Sequence, residues 1–344
     1  MTTNRMIMKR VLFCLLAIFV MGSFGSLMTG CSDDDEKPGI LEEKYFMVLD
    51  ATYVRGGFPA ATSELSVGQV NINKNVLAGG SSVVTINSEE EVSEIYVAVS
   101  GETEGYYRFD PTISRAGTNM YNVILLVSQN LEGDFTIRIA TKTVNGEITK
   151  EFTKNVKYIA AGTGALQVSL SFDNEKDVDL YLVKPDGAVI YYGNRDNYRE
   201  SDDETEGTEE VIYGLDVDSN AGCGIDGINN ENIFYPDGYV QSGKYEVWVN
   251  MYQNCDKSIA TNWVVTAIYK GALLSPTWGQ NPVTGVFPVN TPSNSIGSDL
   301  NDLAVKVMEF SISDGSRAVM SLNGKKLKPL PESAKLKLQQ AKQR

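Results

Sequence analysis

The chain has 344 residues, and its 44 acidic side chains outnumber its 30 lysines and arginines, which gives a formal net charge of −14 at pH 7. Such an acidic chain repels phosphate backbones, which argues against a nucleic-acid partner. The sequence contains no histidine, and this excludes Ser-His-Asp and Cys-His catalysis together with the common zinc sites. Carboxylate-pair chemistry and metals that prefer oxygen ligands, such as calcium, remain open.

Residues 1–30 have the three-part order of a secretory signal peptide. A short basic segment with Arg5, Lys9 and Arg10 precedes the apolar run Val11–Val20, and small residues follow it. The alternative is a transmembrane helix, which is disfavoured because the apolar run is short and is followed by glycines and serines. We therefore predict that this segment directs export.

The segment Leu27–Cys31 follows the apolar run and resembles the cleavage site of bacterial lipoproteins. Gly30 and Cys31 match that pattern, whereas Met28 stands where a leucine is usual. The resemblance implies cleavage before Cys31, a diacylglycerol group on its sulfur and acylation of its new amine. Because several acyl chains hold a protein stably at a bilayer, the resemblance predicts a membrane partner through a lipid on Cys31.

The acidic segment Ser32–Glu36 directly follows this cysteine. It resembles the export tag that some Gram-negative bacteria place after a lipidated cysteine, and this implies localisation at the outer membrane, facing the cell exterior. The alternative is a flexible acidic tether on a protein anchored at the periplasmic side. In both cases the polar composition of residues 31–43 predicts a tether.

Residues 44–159 alternate short β-branched or aromatic runs with turns, which is the pattern of an all-β domain. Within Phe135–Val144, apolar residues alternate with polar ones, so one strand face is expected in a core. Asn145-Gly146 follows this run and predicts a hairpin. We predict an immunoglobulin-like β-sandwich, whose strands include Ser82–Ile86, Glu94–Ser100, Tyr106–Phe109 and Tyr121–Val127.

A second β region covers residues 165–312, after the small residues 160–164, which are typical of a linker. Apolar and polar residues alternate along Asp177–Val183, and Leu303–Ile312 is expected to close the domain. The tail at 313–344 reverses the charge of the chain. It is predicted to be a basic end that is either solvated or docked on acidic surface.

Four cysteines occur, of which Cys14 lies in the leader and Cys31 at the lipid site. Cys223 and Cys255 remain in the exported region. Two cysteines left in an exported domain predict a disulfide. The alternative is a pair of buried free thiols.

The second β region also concentrates side-chain oxygens of the type that calcium binds. The run from Leu215 to Asn220 alternates these groups and leads into glycines that let a backbone curl around an ion. It is not an EF-hand, because Ala221 stands where that motif requires glycine. The alternative is that these aspartates cap turns without metal. The predicted calcium ligands are Asp177, Asp179, Asp216, Asp218, Asn220 and Glu231.

Six short motifs occur in the second β region in this order: Asp177–Tyr181, Pro185–Gly187, Tyr192–Asn194, Leu215–Asp218, Glu231–Ile233 and Gly243–Val247. This series resembles YfaP-like domains, which are secreted β-sandwich domains of unknown function. The resemblance covers residues 166–271, and the acidic loop 202–210 and the two cysteines depart from it. It implies a jelly-roll-like or galactose-binding-like sandwich, often an accessory module, and implies no reaction.

Aromatic residues form a second type of candidate site. Trp278 lies in the loop-like stretch Ser275–Asn281, and Tyr191 and Tyr192 lie beside a turn. Sugar rings stack on exposed aromatic rings while neighbouring amides bind their hydroxyl groups. The alternative is that these rings cover one end of the sandwich.

These patterns together predict an all-β chain with two β-sandwich domains after a lipoprotein signal peptide. The function that they favour is a non-enzymatic surface lipoprotein of the outer membrane, a binding or adhesion module with a structural calcium site. The alternative is a carbohydrate-binding accessory lipoprotein of a surface glycan-uptake system, so the extracellular partner is either a protein or a glycan. An enzyme is disfavoured because Asp177 and Asp179 lie two positions apart on one strand rather than opposed across a cleft.

Overall fold

The computed structural model describes residues 39–111, 119–196 and 212–313. The predicted leader, Cys31, the acidic loop 202–210 and the basic tail from residue 314 onward lie outside these ranges. Within them, no helix is long and apolar enough to cross a membrane.

The folded region begins before the predicted end of the tether at residue 43. Residues Ile40–Lys44 form the short helix α1. Its Leu41 is completely buried in the first hydrophobic core, so the chain is already packed at this point. The physical reason is the apolar pair Ile40-Leu41, which gives the segment a face to bury.

The first sandwich consists of a four-stranded and a six-stranded sheet, with strand orders β1-β8-β5-β3 and β2-β7-β6-β9-β10-β4. All pairs are antiparallel except β4 with β10. The predicted hairpin at Asn145-Gly146 is confirmed, since β9 and β10 pair across it. The strands are β1 Phe46–Val48, β2 Thr52–Arg55, β3 Gln69–Ile72, β4 Asn75–Leu77, β5 Ser81–Asn87, β6 Val92–Val99, β7 Gly105–Phe109, β8 Met120–Val127, β9 Phe135–Thr143 and β10 Phe152–Ile159.

The second sandwich also consists of two antiparallel sheets. One has the order β14-β15-β11-β17-β18 with β20 added to β17, and the other has the order β13-β12-β16-β21-β19. The all-β fold with two sandwiches is therefore confirmed. The strands are β11 Leu166–Phe172, β12 Asp177–Val183, β13 Val189–Ile190, β14 Gly214–Val217, β15 Asn230–Tyr235, β16 Gly243–Gln253, β17 Thr261–Tyr269, β18 Ala272–Leu273, β19 Trp278–Gly279, β20 Val283–Phe287 and β21 Val305–Ile312, with the 3₁₀ turn Ala221–Cys223 between β14 and β15.

Strand β11 is buried on both of its faces. Leu166, Val168, Leu170 and Phe172 lie in the second core, as their alternation predicts. The intervening Gln167, Ser169 and Ser171 are also buried. They face the first sandwich, because Gln167 donates to the Ala78 carbonyl at 3.0 Å and Ser171 accepts from Asn73 at 3.1 Å.

The two sandwiches share a polar interface within one compact unit. Asn230 donates to the Asn75 carbonyl at 3.1 Å, and Thr266 contacts Ser81 through their hydroxyl groups. The predicted linker 160–164 is part of this interface, since Ala161 is completely buried. Buried polar groups favour one arrangement because each requires its own partner, so the sandwiches are held in a defined orientation.

Candidate functional site

A surface groove of about 600 Å³ runs along the second sandwich where β19, β20 and β21 meet the loop at residues 288–294. Two glycines allow the strands to meet there. A Cβ atom on Gly279 would lie 2.4 Å from the Val307 carbonyl oxygen, and one on Gly285 would lie 2.1 Å from the Trp263 ring. Both contacts are too close for any other residue, so these glycines let β19 and β20 close the groove.

Trp278 provides an exposed aromatic surface in this groove. Its side chain is 52% exposed although β19 is paired with β21. The Lys306 Nζ lies 5.6 Å from the centroid of its ring, a distance typical of a cation–π contact. Glu246 and Glu309 pair with Lys306 at 2.9 and 2.8 Å, so the ammonium group is held at the ring and its charge is compensated.

The remaining groove surface combines apolar side chains with a few hydrogen-bonding groups. Val286, Leu303 and Val305 are exposed there. Gln280 provides an exposed amide, and threonines at 284 and 291 provide hydroxyl groups, whereas the Asn294 amide is bonded to Asn250 and Asn301. Among the described residues that line the groove there is no aspartate or glutamate, and the neighbouring Glu246 and Glu309 are paired with Lys306.

Tyr191 and Tyr192, the other two predicted ligand-binding aromatics, do not line this groove. Tyr191 stacks on Tyr181 with centroids 5.4 Å apart and planes 7° apart. The Tyr192 hydroxyl donates to the Ile296 carbonyl at 2.9 Å, and its ring packs against Tyr252. Both rings therefore fasten the loop around residue 296, which agrees with the alternative that they cover part of the sandwich.

Four of the six predicted calcium ligands form a buried carboxylate cluster, namely Asp177, Asp179, Asp218 and Glu231. Asp177 and Asp179 lie on β12, Glu231 lies on β15, and Asp218 follows β14. Asp177, Asp179 and Glu231 are at most 3% exposed. The two sheets of the sandwich thus contribute acidic groups to the same interior region.

Burial and mutual repulsion raise the pKa values throughout this cluster. Burial raises the pKa of Asp177 to about 6, although the backbone N–H of Gly222 donates to it at 2.7 Å. Burial raises the pKa values of Asp179 and Glu231 well above their usual range, and the neighbouring carboxylates raise them further. Burial also raises the pKa of Asp218, against the effect of its ion pair with Arg195. Burial thus makes the ionised form of each of these acids less favourable than it is in water.

The other two predicted ligands, Asp216 and Asn220, are engaged elsewhere. Asp216 accepts hydrogen bonds from the Gly162 backbone and from Asn232 at the interface between the sandwiches. Asn220 is buried, and its amide donates to the Lys176 carbonyl and to Asn229 at 2.9 and 2.8 Å. In the described ranges, no three Asp, Glu or Cys side chains converge closely enough to hold a metal ion.

The predicted disulfide is confirmed. Cys223 and Cys255 are bonded, with their Cα atoms 5.7 Å apart. The bond joins the 3₁₀ turn after β14 to the loop after β16. It therefore stabilises the same turn whose Gly222 donates to Asp177 in the carboxylate cluster.

Sequence reasoning missed two cations that organise these sites. Arg195 pairs with Asp218 across 23 positions, and Lys306 lies at Trp278 through the pairing of β19 with β21. The sequence around each of these residues does not predict its contact, because both contacts depend on which strands become neighbours.

No protein-family model matches the chain, and no curated protein matches it. Among solved structures it is similar to the fibronectin(III)-like modules of Clostridium thermocellum CbhA, with 12% identity, a TM-score of 0.19, and coverage of 65% of this chain and 93% of that one. It is also similar to SGBP-B of the Bacteroides ovatus mixed-linkage glucan utilization locus, solved with a mixed-linkage heptasaccharide, with 14% identity, a TM-score of 0.19, and coverage of 56% and 40%. The titin domains Z1Z2, solved with telethonin, match at 10% identity and a TM-score of 0.17, with coverage of 59% and 98%. At these values the likeness is no basis for assigning a function.

The raised pKa values predict that acidification stabilises the second sandwich. Between about pH 4 and pH 6 the folded Asp177 holds a proton that the unfolded chain releases, so stability falls as the pH rises through this window. In the presence of chelator, we expect the free energy of unfolding to be larger at about pH 5 than at about pH 7, by on the order of 1 kcal/mol from Asp177. Thermal unfolding at both pH values measures this difference.

The substitution Asp177→Asn should remove most of that contribution. Asp186→Asn is the matched control, because Asp186 is exposed and hydrogen bonds lower its pKa. An unchanged pH dependence in Asp177→Asn would contradict the assignment.

Proposed function

We propose that this chain is a non-enzymatic lipoprotein on the outer face of the outer membrane, and that its second sandwich binds a neutral glycan in the groove at Trp278. The observation that carries the proposal is the half-exposed indole on an edge strand beside a groove of about 600 Å³. Large aromatic side chains are normally buried, and an exposed one in a concave site supports ligand binding.

The chemistry of the groove supports a sugar as the ligand. The apolar face of a pyranose ring can stack on Trp278, and the Gln280 amide and the Thr284 hydroxyl, both exposed, can bind its hydroxyl groups. A neutral glycan fits better than an anionic one, because the chain as a whole is strongly acidic and the Lys306 charge is compensated by two glutamates.

The proposal of binding without catalysis is supported by the state of the acids near Trp278, since Glu246 and Glu309 are both paired with Lys306. A glycosidase requires two carboxyl groups about 5–10 Å apart on either side of the scissile bond. The described groove lining contains no acid, and the clustered acids Asp177 and Asp179 are buried.

A protein ligand is the second candidate function. The aliphatic side chains of Val286, Leu303 and Val305 are 40–54% exposed at the groove. Contiguous exposed apolar surface of this kind also suits a protein interface.

The proposed membrane location is supported by the sequence of the leader and by the acidic segment after Cys31. We also propose a structural calcium ion that would draw together the four acids of the carboxylate cluster, which do not converge on one point in this structure. Its support is the burial of Asp177, Asp179, Asp218 and Glu231 together with one paired arginine. A divalent cation would offset the repulsion that otherwise favours the neutral acids.

Substitution of Trp278 tests the proposed glycan site. Trp278→Ala should weaken binding to neutral polysaccharides at least about tenfold, which corresponds to about 1.4 kcal/mol, because the stacking surface is removed. Affinity electrophoresis of the full chain in gels containing individual polysaccharides measures the change.

The matched control is Tyr239→Ala, since Tyr239 is an exposed aromatic that does not line the groove. Equal binding by wild type and Trp278→Ala would refute the site. The second candidate function would be favoured if no polysaccharide slowed the protein in the gel and if the protein captured a protein ligand that the Leu303→Ser variant did not capture.

Substitution of Cys31 tests the membrane location. Cys31→Ser should release the protein from the membrane fraction or block its processing, because the sulfur that carries the lipid is lost. Fractionation of cells and mass spectrometry of the N-terminal peptide measure both effects, and protease treatment of intact cells reports the exposed face. Lipidation would be disproved if Cys31→Ser fractionated with membranes as wild type does and the wild-type N-terminal peptide carried no acyl group.

Chelation tests the proposed calcium ion. At about pH 7, chelator should lower the melting temperature and millimolar calcium should restore it, since an ion that binds only the folded state adds about 2.7 kcal/mol at a hundredfold excess over Kd. Asp218→Ala should abolish this response. Asp216→Ala should retain it, because Asp216 bonds at the interface instead. Identical melting curves with chelator and with calcium would exclude the ion.

A further inference from the structure

A lysine that the proposed function does not use is completely buried beside one asparagine. Lys176 is 0% exposed, and its Nζ donates to the Asn254 Oδ1 at 2.7 Å. An ammonium group has three donors, and this is the one hydrogen bond that Nζ makes to the described residues. Buried lysines normally pair with carboxylates, whereas Asp173 and Asp256 act on Lys176 only as neighbouring charges.

The Asn254 amide is held in one orientation. Its side chain is 7% exposed, and its Nδ2 donates to the Thr291 carbonyl at 2.8 Å. Its backbone N–H donates to the Ser293 hydroxyl at 3.0 Å. The amide carbonyl therefore faces the lysine, while the amide nitrogen faces away toward Thr291.

Both residues are attached to fixed elements. Lys176 directly precedes β12, and Asn254 directly follows β16, which pairs with β12 along its length. The next residue after Asn254 is Cys255 of the disulfide. The contact between the two side chains is thus set by a strand ladder and a covalent bond rather than by free loops.

The Asn254 Cγ lies within reach of the lysine nitrogen. A carbonyl bond is about 1.2 Å long, so with Oδ1 at 2.7 Å the Nζ and Cγ atoms are at most about 3.9 Å apart. Reacting atoms in near-attack arrangements are about 3–3.5 Å apart. The attack requires the neutral amine, and burial lowers the pKa of Lys176, which favours that form.

We propose that Lys176 and Asn254 join in an intramolecular amide crosslink. The Nζ–Cγ bond forms and the Cγ–Nδ2 bond breaks. Two protons pass from the lysine ammonium to Nδ2, which leaves as ammonium, so atoms and charge balance without an oxidant, a reductant or any co-reactant. The Thr291 carbonyl, which accepts from Nδ2, is a positioning group for the departing nitrogen.

The crosslink closes a loop between positions 78 residues apart, which contains Cys223 and ends one residue before Cys255 of the disulfide. It joins the loop before β12 to the loop after β16 with a bond that reducing agents do not break. This end of the second sandwich is then held together even when the disulfide is reduced.

Peptide mapping tests the crosslink directly. The full chain is reduced, denatured and digested with trypsin, which requires no variant to fold. We expect a branched peptide that links the Lys176 segment to the Asn254 segment and weighs less than the two together by one ammonia, with no cleavage after Lys176. Recovery of both segments as linear peptides, with cleavage after Lys176, would overturn the proposal.

Two variants distinguish the crosslink from other reactions that release ammonia. Lys176→Arg and Asn254→Ala should each abolish the branched peptide, whereas Lys257→Arg, at an exposed lysine in the same loop as Asn254, should retain it. Loss of ammonia that persists in Lys176→Arg would assign the change to Asn254 alone, as in succinimide formation, and would also overturn the crosslink.

Discussion

The organisation of this molecule depends on the burial of β11 from both sides. Its apolar face belongs to the core of the second sandwich, and its polar face meets the first sandwich through Gln167, Ser169 and Ser171. Burial of the polar side chains of such a strand is favourable where they find partners within the protein, and Gln167 and Ser171 find theirs on the first sandwich. These bonds fix the first sandwich against one sheet of the second and remove this sheet face from ligand binding.

The groove proposed as the ligand site lies at the margin formed by β19, β20 and β21. These strands belong to both sheets of the second sandwich, since β20 pairs with β17 and β19 pairs with β21. The groove lies where these two edges come together. Edge strands are vulnerable to unwanted pairing, and here β19 and β20 are two and five residues long, with Trp278 and Lys306 beside each other at the margin.

The sequence pattern was sufficient for the elements whose structure depends on local chemistry. The alternation along Leu166–Phe172 identified its core residues, and Asn145-Gly146 identified the hairpin. In that turn only Gly146 has a positive φ, at 87°. The turn is therefore a type I turn closed by glycine, which fits the Gly146 N–H bond to the Thr143 carbonyl.

The candidate cation site shows where local pattern was insufficient. Asp216 and Asp218 are two positions apart and would share a face on a regular strand. The register between β14 and β15 shifts between Leu215 and Val217, which turns Asp216 toward Gly162 while Asp218 meets Arg195. A bulge adds one unpaired residue, so the residues after it point to the opposite face of the sheet. The run Leu215–Asn220 contains no sequence signal that predicts this bulge. Which four of the six predicted calcium ligands lie near one another therefore depends on how the strands pair, and the local sequence does not show this.

The carboxylate cluster and the groove are connected through one loop. Asp179 accepts from the Tyr181 hydroxyl at 3.2 Å, and that hydroxyl lies 3.3 Å from the Ile296 carbonyl. Two residues earlier, Asn294 exchanges hydrogen bonds with Asn250 on β16 at 2.7 and 2.9 Å. Asn294 also lines the groove, so the interior of the sandwich fastens one groove wall in place. Because a fixed wall need not be ordered when a ligand arrives, less of the interaction energy is lost to ordering. The buried polar residues of β12 and β16 thus help to fix the shape of the groove, although none of the clustered acids lines it.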